Sequence, residues 1–143
     1  MIKQISASLL ILSATCACDK APNDGDLDGN WQLVSVQEDA QSSVKEVKGE
    51  RLYVGFRRGI ALYYSVGSTS HLNVYAHYTH TSDSLFVYDF ASASDDTNPF
   101  YTTPEPLKLF YITHLRESYA IEQLSGDQMW LSQGEKKLQY RKF

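Results

Sequence analysis

From Trp31 onward, apolar and polar positions alternate in runs of six to nine residues, each run closed by Gly, Ser, Asp or Asn. A period of two, rich in Val, Ile, Tyr, Phe and Thr, is the pattern of half-buried β-strands. It predicts strands at Trp31–Gln37, Glu50–Phe56, Ile60–Val66, His71–Thr79, Ser84–Phe90, Leu107–His114, Tyr119–Leu124, Gln128–Gln133 and Lys137–Phe143. The links between them are too short for crossover helices, so neighbours must pair as antiparallel hairpins. The tightest links are Arg57-Arg58-Gly59 and Ser125-Gly126-Asp127, where glycine supplies the positive φ of a hairpin turn.

The same alternation assigns faces. Leu52, Val54 and Phe56 share one side of their strand, opposite Arg51, Gly55 and Arg57; Ile60, Leu62, Tyr64 and Val66 form the apolar face of the next, and Leu72, Val74, Ala76 and Tyr78 that of the one after. A meander with one apolar face must cover it, and curling into a barrel does so while removing the exposed edges. The expected fold is therefore all-β: an antiparallel meander of eight or nine strands closing into a single barrel over residues 29–143. The expected lining of its mouth is Val54, Phe56, Leu62, Tyr64, Val74 and Tyr78. Leu85–Phe90 is apolar on both faces, and the loop Ala91–Pro106 is expected to cover its outer side through Phe100 and Tyr101.

The first residues carry an address. Lys3 is followed by an apolar run from Ile5 to Ala14 and then by Thr15-Cys16-Ala17-Cys18-Asp19. That run is about half of the ~20 residues needed to span a bilayer, and a cationic start with small residues at the end is a secretion signal. The division that follows is a signal peptide over 1–17, a flexible acidic tether over 18–28 and the barrel domain over 29–143. Cys18, preceded by Ala17, fits a small-residue cleavage pocket better than Cys16, which follows Thr15. Cleavage there removes Cys16 and leaves no second cysteine, which excludes a disulfide framework, a thiolate zinc site and a catalytic cysteine.

Charge and motifs narrow the functions. A formal net charge of −4 does not suit nucleic acid, which needs a clustered positive footprint. Lys45, Lys48, Arg51, Arg57 and Arg58 are basic neighbours in sequence; a solvated hairpin accounts for them, and an anionic lipid or ligand is the other reading. No metal is expected: His77 and His80 point to opposite faces, His71 and His77 lie ~20 Å apart along one strand, and His114 has no obvious partner. The acidic loop Ser94–Asn98 lacks the spacing and terminal glutamate of a calcium loop. With no nucleophile elbow or paired acidic motif, neither an enzyme nor a cofactor is expected.

The segment Leu27-Asp28-Gly29-Asn30-Trp31-Gln32-Leu33 opens the first strand with Gly-x-Trp and resembles the start of the lipocalin superfamily. The resemblance implies that the glycine turns the chain into the barrel, that Trp31 plugs its closed end, and that a basic residue of the last strand packs on the indole. Arg141 is the matching candidate and Lys142 its neighbour. With Cys18 and the short tether, the chain is also similar to small lipocalin-like lipoproteins of Gram-negative bacteria. Its ending, Tyr119–Ser125, Met129-Trp130-Leu131 and Leu138–Phe143, is similar to theirs.

This resemblance implies a lipid-anchored outer-membrane protein and names no ligand. Two functions follow. One is a binding protein holding a small apolar or amphipathic molecule in the barrel. The other is an envelope interaction module, its barrel filled by its own side chains, that contacts another protein or a glycan through its outer face or the 91–106 loop. Interior volume separates them, because a small barrel filled with Tyr and Phe leaves little room.

Overall fold

The computed structural model describes residues 24–67 and 72–143. Cys16, Cys18 and His71, and with them the expected signal and the expected lipidation site, lie outside the described residues. Within them the strands are β1 Gly29–Gln37, β2 Lys45–Glu46, β3 Leu52–Arg57, β4 Ile60–Ser65, β5 Asn73–His80, β6 Ser84–Ser92, β7 Arg116–Leu124, β8 Gln128–Gln133 and β9 Lys136–Lys142. Every pairing is antiparallel, running β1-β3-β4-β5-β6-β7-β8-β9, and β9 returns to β1 to close an eight-stranded barrel. The ninth strand, β2, continues the position of β3 along the far half of β1, pairing Ser35 with Glu46 and Val36 with Lys45.

The predicted strands match these elements closely, with one exception. Leu107–His114 is not a strand. Glu105–Phe110 is a 3₁₀ helix with proline in its first turn, and Tyr111 ends it in the left-handed conformation. Leu107 and Phe110, three residues apart, fall on one side of such a helix and are both buried, as is Ile112 just beyond it.

Hairpin geometry decides the face of β4. Arg58 and Gly59, both at positive φ, are the two central residues of the turn, so Arg57 pairs with Ile60 and Phe56 with Ala61. Directly opposed residues share a face. Ala61, Tyr63 and Ser65 therefore point inward, while Ile60, Leu62 and Tyr64 point outward. This reverses the expected face of β4 and takes Leu62 and Tyr64 out of the barrel lining. Outside, Tyr64 stacks on Tyr53 with ring centroids 5.2 Å apart, and Phe143 meets Tyr53 edge-on at 4.9 Å.

A second correction concerns β6. At Asp89, which has positive φ, the register with β5 shifts, so Leu85, Val87 and Phe90 are buried. Phe86 is 40% exposed on the outer side, and Phe100 is 56% exposed beside Ala91 at the other end of the strand. The loop therefore does not cover the outer face of β6; only Tyr101 packs against the core.

Candidate functional site

The barrel has two unlike ends. One carries the start of β1, the turns β3–β4, β5–β6 and β7–β8, and the C-terminus. Here Trp31 is fully buried, its Nε1 donating to Leu27 O at 2.9 Å. Lys142, not Arg141, lies over the indole, with Nζ 4.4 Å from the ring centroid and a hydrogen bond to Asp26 O at 2.9 Å. The register gives the reason: Trp31 pairs with Lys142 and therefore shares its face, while Arg141 pairs with Gln32 on the outer face and donates to its Oε1 at 2.8 Å. Gly29 has φ of 120°, and a Cβ there would stand 3.1 Å from Lys142 Cε. The Gly-x-Trp glycine thus makes room for the cation that covers the tryptophan.

The folded body begins before Gly29. Leu27, in the 3₁₀ helix Gly25–Leu27, is fully buried, and Asp24 accepts from the Tyr78 hydroxyl and lies 3.1 Å from His80 Nε2. The tether read over 18–28 is shorter than expected by at least these residues. Burial first, and then the bond to Asp24, raise the Tyr78 pKa.

Of the expected lining, Val54, Phe56, Val74 and Tyr78 are in the interior, but they pack against one another instead of enclosing space. Phe56 and Tyr78 meet edge-to-face at 5.0 Å. Tyr63 fills the middle, with its ring 6.0 Å from Phe90 and 5.6 Å from Phe110. The void between Leu33, Leu52, Tyr53, Tyr63, Phe110 and Tyr140 has no volume open to a water-sized molecule. Among the described residues, the void at the centre of the barrel leaves no room for an apolar ligand. The tyrosines that replace it, Tyr63, Tyr119 and Tyr140, have their pKa raised by burial and further by the nearby Glu117 carboxylate.

Glu117 holds the other end shut. Its side chain is fully buried and accepts from the backbone N–H groups of Thr113 at 2.8 Å and His114 at 3.0 Å, and from Gln133 Nε2. These bonds fasten the segment after the 3₁₀ helix to β7 and β8, and Leu107, Phe110 and Ile112 close the mouth beneath it. Lys136 Nζ donates to Tyr111 O at 2.9 Å. Its pKa is lowered by burial, against the opposing pull of Glu117 and Glu38.

Space lies outside this cap. A recess of about 400 Å³ is lined by Glu38, Lys108, Tyr111, Thr113, Gln133 and Lys136, above Ile112. A second, of about 360 Å³, shares Glu38 and Tyr111 and adds Ser42, Ser43 and Lys45. Tyr111 lines both, at φ 60°, where a non-glycine residue costs about 1 to 2 kcal/mol. Its hydroxyl lies 3.3 Å from Glu50 Oε2 and 3.2 Å from Lys45 Nζ, which fixes the ring. Ligand pockets of about 300 to 1,000 Å³ are the ordinary range, so each recess is large enough to hold a small molecule. The sequence signal for this site was weak, since its residues come from three separate regions and none belongs to a motif.

The histidines stay apart: His77 pairs with Asp89 at 3.3 Å and His80 with Asp24 at the opposite end from His114. No group of three or more His, Cys, Asp or Glu among the described residues could hold a metal ion.

The fold is shared with solved structures. A lipocalin-like protein from Bacteroides uniformis is 19% identical with a TM-score of 0.63, over 83% of this chain and 100% of that one. An uncharacterized protein from Bacteroides eggerthii is 20% identical with a TM-score of 0.61, over 82% and 99%. A Burkholderia xenovorans protein is 16% identical at a TM-score of 0.51, over 81% and 82%. At these identities the likeness is one of fold. No curated protein matches the chain at a significant level. The lipocalin-like domain family matches residues 10–143, nearly the whole sequence: the chain belongs to the lipocalin-like domain family.

Proposed function

We propose that this protein is a non-enzymatic binding module of the cell envelope, anchored in the outer membrane by lipid on Cys18, and that it meets its partner outside the barrel. The observation that supports this over a carrier of apolar molecules is the filled interior, where Tyr63, Phe110 and Tyr140 occupy the space a ligand would need. Asp24 follows Cys18 by six positions, at most about 22 Å of chain, and is fixed at the Trp31 end. An anchor at Cys18 holds that end towards the membrane and presents the Glu117-capped mouth, with its two recesses, away from it.

Native mass spectrometry of the protein purified from envelopes tests both parts. The expected spectrum is that of a chain starting at Cys18 with its acyl chains and no further mass. Two or more acyl chains are expected, because a single chain holds a protein at a membrane only marginally. A one-to-one excess of a small apolar molecule contradicts the filled barrel, and an unmodified N-terminus contradicts the anchor.

A further inference from the structure

We infer that the paired recesses lined by Tyr111 bind an uncharged oligosaccharide, with a sugar ring against the tyrosine. The inference rests on the reading of this protein as a binding module that acts outside its barrel.

Three features of the recesses select the ligand class. The first is balance of polar groups. Among the residues around the first recess only Ile112 lacks a polar side-chain atom, and it is 1% exposed. An apolar ligand would strand the rest. Lys108, Lys136 and Thr113 supply donors, while Glu38, Thr113 and the Gln133 carbonyl oxygen supply acceptors, and a sugar hydroxyl both donates and accepts.

The second is charge. Lys108 is already paired with Glu105 at 2.7 Å and Lys45 with Glu50 at 3.3 Å, while Glu38 and Glu117 oppose Lys136. Each cation has a carboxylate near it, so a phosphate or an acidic peptide meets no surplus positive charge.

The third is shape. The recesses share Glu38 and Tyr111, so the same aromatic residue lines both. A pyranose offers an apolar C–H face to such a ring and hydroxyls at its rim, and tyrosine combines an apolar body with a polar tip.

The test is an NMR titration of the full chain in detergent micelles with maltotriose, cellotriose and chitotriose, and with trialanine and inorganic phosphate as controls. At least one trisaccharide is expected to shift the amides of Glu38, Thr113, Gln133 and Lys136 saturably, with both controls inert. Tyr111→Gly, which suits the backbone while removing the ring, and Glu38→Ala, an exposed position, are each expected to weaken binding about tenfold, the loss of one good contact. Retained amide dispersion in the variants shows that they remain folded. The inference is overturned if no trisaccharide shifts these amides, if trialanine or phosphate shifts them equally, or if folded variants bind as the parent does. Those results leave the mass measurement above untouched, so the oligosaccharide and the filled barrel can fail separately.

Discussion

Trp31→Ala is expected to destabilise the protein by about 3 to 5 kcal/mol, the range for truncating a large buried aromatic. The indole is fully buried, and its Nε1 bond to Leu27 O holds the 3₁₀ helix Gly25–Leu27 against the barrel floor. Removing the ring opens a cavity at the centre of that end and leaves the Leu27 carbonyl without its donor. It also strips Lys142 of the aromatic face beneath its ammonium, a contact worth about 0.5 to 2 kcal/mol. Chemical denaturation measures the loss. A variant that unfolds at the parent's denaturant concentration contradicts the plug. Lys142→Met, which keeps the stem and deletes the charge, is expected to cost less than Trp31→Ala, and Arg141→Met less still, since Arg141 lies on the outer face.

At the opposite end, Glu117→Ala is expected to cost about 3 to 5 kcal/mol, the range for removing one partner of a buried, hydrogen-bonded charge, because its donors are left unpaired. The donors are the Thr113 and His114 amides and the Gln133 side chain, and Lys136 loses a nearby countercharge at the same time. Glu117→Gln keeps one carbonyl oxygen for the two backbone donors and is expected to lose about half as much. Amide exchange reports the local effect. The Thr113 and His114 amides should lose protection in Glu117→Ala ahead of the β-sheet amides. Equal protection in parent and variant would mean that Glu117 does not hold the cap.

Much of this architecture is legible in the chain, and the places where it is not have physical causes. Strand positions follow from alternation, and eight of the nine predicted segments fall on observed strands. The face of β4 did not follow, because both of its faces are apolar: Ala61 and Tyr63 on one, Ile60, Leu62 and Tyr64 on the other. Choosing the more hydrophobic set placed Leu62 and Tyr64 inside. Turn arithmetic carries the better signal, since a two-residue Arg58-Gly59 turn ties Ile60 to Arg57, a residue already on the outer side. The same parity places Lys142 with Leu138 and Tyr140, one step away from Arg141, so the lysine over Trp31 was also readable from the last strand.

Leu107–His114 misled for a different reason. An apolar run of that length suits a strand, but Pro104-Glu105-Pro106 before it is a helix start, where a missing N–H costs nothing. That segment turns an open mouth into a closed one, so the error over one element carried through to the expected ligand. The recess around Tyr111 could not be assembled from sequence at all. It exists only where the ends of β1 and β8, the start of β9 and the residues after the 3₁₀ helix meet.

The central claim is that the barrel interior is closed and that binding belongs outside it. Titration of the parent and of Phe110→Ala with a fluorescent long-chain fatty acid tests it most directly. Phe110 packs against Tyr63 beneath the cap, and its truncation opens a cavity in the mouth. No saturable binding is expected for the parent and a gain of binding for the variant; saturable one-to-one binding by the parent would contradict a closed interior.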